Sequence, residues 1–263
     1  IENVTIDNAA TTLTLGNAAR SVTVAVGTGA HSFVLGDGSA IQNVNGGGGN
    51  DTFTVASNAT ESNLTLTGGT GTDVFVITGT AGGIDLTTMA GFSGFESLTL
   101  ASGGDIAMNA GQNNAFTGTI SAAGSNVVTI SGDGAVTQTL AGVETYTIGD
   151  ASTNARTVAV SAAGTSVTAS STTDAVVFSL NGVNYTSGTL TGNTSVADSL
   201  SVSGTSSIVG ATLTNIGNLT IVTGAIITMT VTQHTAFAST TTASGTETIT
   251  INATDGDMTT IAS

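Results

Sequence analysis

The stretch GGGGNDTFTV, Gly46 to Val55, runs from a glycine cluster through Asn-Asp into alternating apolar residues. The pattern returns 22 residues later as GGTGTDVFV at 68–76. The two copies coincide at Gly46/Gly68, Gly47/Gly69, Gly49/Gly71, Asp51/Asp73 and Phe53/Phe75. A weaker copy lies upstream in VGTGAHSFV (26–34), where Phe33 takes the Phe place and His31 the Asp place. A repeat of 20–24 residues is too short to bury a core alone but is the length of one solenoid turn. The predicted fold is therefore all-β: a parallel β-solenoid, of β-helix or β-roll type, with roughly 20–24 residues per turn. Equivalent residues of stacked turns should form ladders, Phe33 over Phe53 over Phe75 in the core and Asp51 beside Asp73 at one edge.

The rest of the chain supports this. Strict alternation recurs in VTVAV (22–26), LTL (64–66), VFVI (74–77), LTL (98–100), VAV (158–160) and ITI (249–251). β-branched residues fill pleated, half-buried strands well. A second repeat places Glu before an alternating run: ENVTI (2–6), ESLTL (96–100), ETYTI (144–148) and ETITI (247–251), with a variant GNLTI at 217–221. The Phe series 33, 53, 75, 95, 116 steps by 20 to 22 residues. A pair of packed antiparallel sheets would explain the alternation but not this echo. The chain has no proline, which suits strands paired on both sides, because proline cannot donate to a ladder.

Composition narrows the function. Only 7% of residues are charged, and 17 acids against two arginines give a formal charge of −15. Nucleic acid, whose phosphates need a basic face, is an unsuitable partner. Cysteine is absent, so disulfides and thiolate metal sites are excluded. No apolar run is long enough to span a membrane as a helix. The chain opens on IENVTIDN, already in strand-like alternation. Residues 1–263 are therefore expected to form one elongated solenoid segment of a larger secreted protein.

The glycine run itself has three possible meanings. A phosphate loop needs Lys and a following helix, but there is no lysine and TFTV follows as a strand. A flexible linker would not repeat its Asp and Phe at fixed places. Both 46–54 and 68–76 fit G-G-x-G-x-D-x-U-x, the calcium-binding nonapeptide of repeats-in-toxin (RTX) proteins. Glycine permits the positive-φ turn, Asp supplies a hard oxygen and the apolar residue two places on enters the core. The candidate metal residues are Gly47, Gly49, Asp51, Gly69, Gly71 and Asp73, with calcium as the ion. Asp37, Asp105, Asp133, Asp150, Asp255 and Asp257 also flank glycines, as turn caps or further ligands. His31 is expected to be a spent repeat position, and the five glutamates solvated side chains.

The two nonapeptides, with GFESLTL and GVETYTI, resemble the large calcium-binding proteins that bacteria export by type I secretion. The Thr/Ser/Ala/Gly/Val-rich, acidic, lysine-free composition is similar to that of Gram-negative surface-layer (S-layer) proteins. The resemblance implies an RTX-like, extracellular, calcium-dependent fold that self-assembles into a lattice on the cell surface, with surface polysaccharide as a possible anchor. An adhesin or filament module of the same secretion class is the alternative. Catalysis is not expected: HExxH and GxSxG are both absent, and two His and two Arg form no recognisable constellation.

Overall fold

A computed structural model describes all residues except 1, 7–8, 17–19, 25–27, 36–41, 56–60, 79–82, 102, 119, 150–155, 171–173, 195–196, 243–244 and 253–263. The chain forms two compact units, Ile1–Thr129 and Ile130–Ser263. Each is a parallel β-solenoid, whose strands pair in parallel from one turn to the next.

In the first unit one sheet stacks Glu2–Ile6, Arg20–Val24, Gln42–Asn45, Leu64–Thr67 and Gly91–Ser93. The facing sheet stacks Thr12–Thr14, Ser32–Val34, Thr52–Val55, Val74–Ile77, Ser97–Leu100 and Ile120–Ala122. The register steps are mostly 20 to 23 residues, as in Phe33↔Phe53, Phe53↔Phe75, Phe75↔Leu98 and Leu98↔Ile120. One step is 26 (Thr65 to Gly91), and it takes up a short 3-10 helix, Leu86–Thr88, capped by Asp85. Alternation does what the pleat requires: in Thr52–Val55, Phe53 and Val55 point inward and the threonines outward.

The Phe ladder holds for Phe33, Phe53 and Phe75, all fully buried. It then passes to Leu98 rather than Phe95. Phe95 precedes its strand and is buried beside the ladder, edge-on to Phe53 at 4.9 Å and stacked on Phe92 at 4.6 Å. Phe116 caps the C-terminus of the helix Ala110–Ala115 and reaches the same cluster through Phe92. The sequence period places these rings in each turn but not on one ladder.

In the second unit, Thr145–Ile148, Ser166–Ala169, Thr189–Thr191 and Thr212–Thr214 stack in one sheet. Arg156–Ala159, Val176–Asn181, Asp198–Ser203, Ile216–Ile221 and Ser239–Thr242 form a second. Thr205–Ser207, Ile226–Thr230 and Thr248–Asn252 form a third. Among the described residues the only α-helices are Ala110–Ala115 and Val231–Thr235. Each carries a capping box, and its Gln (Gln112 or Gln233) reaches back to carbonyls of the preceding turn. No helix among the described residues is long and apolar enough to cross a membrane.

Candidate functional site: a stacked glycine and carboxylate corner

The two nonapeptides lie one directly on the other. Their loops hydrogen-bond as a continuation of the sheet: Thr70 N–H donates to Gly47 O and Gly49 N–H to Thr70 O, both at 2.9 Å. Gly47, Gly49, Gly69 and Gly71 all take positive φ, at 83°, 110°, 120° and 140°. Conformation is only half of the reason for glycine here. A Cβ on Gly71 would strike the Gly49 carbonyl, one on Gly69 the Gly47 carbonyl, and one on Gly49 the Gly29 carbonyl, each closer than 3.0 Å. The missing side chains let successive corners approach to strand spacing.

The acids follow. Asp51 and Asp73 each stand immediately before a strand and are fully buried. Each carboxylate accepts the backbone N–H of the equivalent residue one turn earlier: His31 N–H to Asp51 Oδ1 at 2.7 Å, and Asp51 N–H to Asp73 Oδ1 at 2.7 Å. The series continues, for Asp73 N–H donates to Glu96 Oε2 at 2.9 Å. A buried amide needs an acceptor, and here the next turn's acid supplies it. The structure therefore joins what the sequence presents as two repeats. Glu96, from ESLTL, occupies the place held by Asp51 and Asp73 in the nonapeptides, and is half-buried rather than fully solvated. His31 holds the same place at the other end of the series, 2% exposed, with no hydrogen-bond partner on either ring nitrogen.

The second carboxylate oxygens are unusual. Asp51 Oδ2 and Asp73 Oδ2 are buried without a partner. They lie against Gly46 and Gly68, at positions where a Cβ would collide with them. Burial pushes the Asp73 pKa up to about 6; the Asp51 N–H opposes this, and the charges of Asp51 and Glu96 add to it. Burial also raises Asp51, against the opposing His31 N–H and the His31 charge. Among the described residues no group of three or more His, Asp or Glu is gathered closely enough to hold a metal by side chains alone.

These contacts predict a split between two substitutions. Asp73→Ala leaves the buried Asp51 N–H without an acceptor and should cost about 1–3 kcal/mol. Asp73→Asn keeps an acceptor and removes the buried charge, so in chelator at neutral pH it should be at least as stable as the parent chain. The pH dependence has the same origin. Asp73 binds its proton more tightly folded than unfolded (ordinary value 3.8), so its contribution is fully favourable below that value and is lost as pH rises through about 6. In chelator, the parent chain should melt higher at acid pH than at neutral pH. Asp73→Asn should flatten that slope; an unchanged slope would remove Asp73 as its cause.

Residues beyond the predicted set share the device. Asp198 is fully buried; its carboxylate accepts Val176 N–H at 2.5 Å and also Asn193 N–H, and it closes on Gly192. Asn50 Oδ1 accepts Thr72 N–H one turn on, and Asp105 Oδ1 accepts Val127 N–H at 3.1 Å. Asp105 thus caps a neighbouring turn rather than its own. The signal that identifies Asp198 is an acid at the entry of an alternating strand, as in DSLSV, ESLTL and DTFTV. Asp133 is exposed, and Asp37, Asp150, Asp255 and Asp257 lie outside the described residues. No family model, curated protein or solved structure matches the chain.

Proposed function

We propose that the chain is a structural module of a bacterial surface coat: a secreted, calcium-stabilised solenoid that self-assembles into an S-layer-type lattice and has no catalytic role. The observation that carries this is the pair of orphan carboxylate oxygens, Asp51 Oδ2 and Asp73 Oδ2, on adjacent turns of one glycine corner. Hard cations take such oxygens, and calcium completes its shell with backbone carbonyls and water where acids are few. In this reading Asp51 and Asp73 supply the charge, while Gly47, Gly49, Gly69 and Gly71 bring backbone close. The cation would neutralise a line of buried acids that otherwise repel and resist ionisation. Assembly follows the same electrostatics. A chain of formal charge −15 repels its copies until divalent cations bridge or screen them. Cell-surface polysaccharide is the anchor this reading assigns to the coat.

Negative-stain electron microscopy of the purified chain tests the assembly. Ordered sheets in millimolar calcium that disperse in EGTA are expected. Calcium-dependent fibres would favour the adhesin or filament reading, and monodisperse particles in both conditions would contradict self-assembly.

A further inference from the structure

The second unit repeats part of the first, 121 residues on. The helices with capping boxes carry the match in sequence: MNAGQNNAF (108–116) and MTVTQHTAF (229–237) share Met, Gln, Ala and Phe at equivalent places. The backbone extends it. Gly83 pairs with Gly204, Gly94 with Asn215 and Gly103 with Gly224, all at positive φ (66° and 69°, 72° and 55°, 72° and 75°). Asn215 is the only non-glycine in that region among the described residues, and it stands where Gly94 stands. Gly68 N–H donates to Ser93 O, and Gly192 N–H to Thr214 O. A Cβ on Gly68 would strike the Gly94 carbonyl, and one on Gly192 the Asn215 carbonyl. Gly192 to Asp198 is therefore the second unit's version of the corner from Gly68 to Asp73.

The two corners differ in charge. Asp73 lies between Asp51 and Glu96, one acid on each of three turns. Asp198 stands between uncharged residues. Val176 holds the Asp51 place, since its N–H donates to Asp198 Oδ1 at 2.5 Å as that of Asp51 does to Asp73 Oδ1. Gly217 holds the Glu96 place: its carbonyl accepts Ala238 N–H as that of Glu96 accepts Gly118 N–H.

They also differ in how the acid is satisfied. Asn193 follows Gly192 where Gly69 follows Gly68. It is 6% exposed and closes over the acid. Its backbone N–H donates to Asp198 Oδ2. Its Nδ2 donates to Asp174 O at 2.8 Å and lies 3.4 Å from Asp198 Oδ1. Protein donors thus reach both oxygens of Asp198, whereas at Asp73 they reach only Oδ1. Such charge-assisted bonds are roughly twice as strong as neutral ones, and no acid on the adjoining turns repels Asp198. Resting on the calcium reading of the first corner, we propose that Asn193 decides which corner needs the ion. It does at Asp198 what the cation does at Asp51 and Asp73. The second corner is complete without metal, so Ile130–Ser263 holds its fold in chelator and calcium dependence is confined to Ile1–Thr129.

Hydrogen exchange of the full chain, read by mass spectrometry in calcium and in EGTA, tests this. Peptides covering 46–55 and 68–77 should exchange about a hundredfold faster in EGTA, for calcium at a hundredfold excess over Kd. Peptides covering 174–180 and 197–203 should exchange equally in both. Asn193→Asp sets a second carboxylate against Asp198 and the Asp174 carbonyl, a group of hard oxygens that repels alone and suits calcium. In that variant the second pair of peptides should lose protection in EGTA and regain it in calcium. Asn193→Ala, which only deletes the amide, should lose protection equally in both. The proposal is overturned if the parent chain's second pair also exchanges faster in EGTA. It is equally overturned if calcium leaves Asn193→Asp as unprotected as Asn193→Ala. Equal exchange of the first pair in the two buffers would remove the calcium reading of the first corner, and with it the contrast between the units.

Discussion

Phe53→Ala should destabilise the first unit by about 3–5 kcal/mol, the usual cost of removing a fully buried aromatic ring. In a chain of this size that lowers Tm by roughly 10 °C. Phe53 has no exposed surface and stands mid-ladder, in register with Phe33 and Phe75. Its ring lies 4.7 Å from Phe33 and 4.9 Å from Phe95 between centroids. Aromatic residues make up only 4% of the sequence, so few side chains of this size can fill the gap. A turn of a solenoid touches only its neighbours, so nothing distant compensates. Phe92→Ala, at a half-buried ring, should cost clearly less. Denaturant midpoints compare the two, and equal losses would contradict the ladder.

Gly71→Ala should cost about 2–4 kcal/mol, because it adds backbone strain to a steric collision. Gly71 sits at φ 140°, which L side chains rarely adopt. Its Cβ would meet the carbonyl of Gly49, which belongs to a stacked backbone and cannot turn away as a side chain could. Gly16→Ala is the control, with nothing within 4 Å of its Cβ and no positive φ. Thermal melting should show a large loss at Gly71 and almost none at Gly16. A tolerated Gly71→Ala would mean that the corners stack less closely than described.

Much of this architecture is legible in the sequence, and the reason is periodicity. The echo of GGGGNDTFT in GGTGTDVFV gives the turn length, because stacked turns impose it on every ladder. The glycines at 47, 49, 69 and 71 could likewise be placed at a positive-φ corner. What a period cannot show is where a side chain points. Asp51 and Asp73 look like edge ligands in the sequence, yet each turns inward and holds the amide of the turn before. Glu96 escapes prediction for a related reason. Its side chain is one methylene longer and it follows Asp73 by 23 residues, where Asp73 follows Asp51 by 22, so it belongs to the carboxylate series in space without matching the nonapeptide. Phe95 misleads in the opposite sense: it keeps the 20-residue step while Leu98 takes the ladder.

The calcium corner is the claim on which the functional account turns. Binding to the folded state alone stabilises it by about 2.7 kcal/mol at a hundredfold excess over Kd. The most direct measurement is circular dichroism melting of the parent chain and of Asp51→Asn with Asp73→Asn, each in calcium and in EGTA. The account predicts a higher Tm in calcium for the parent chain and no calcium response in the double variant. An identical Tm for the parent chain in calcium and EGTA would contradict it.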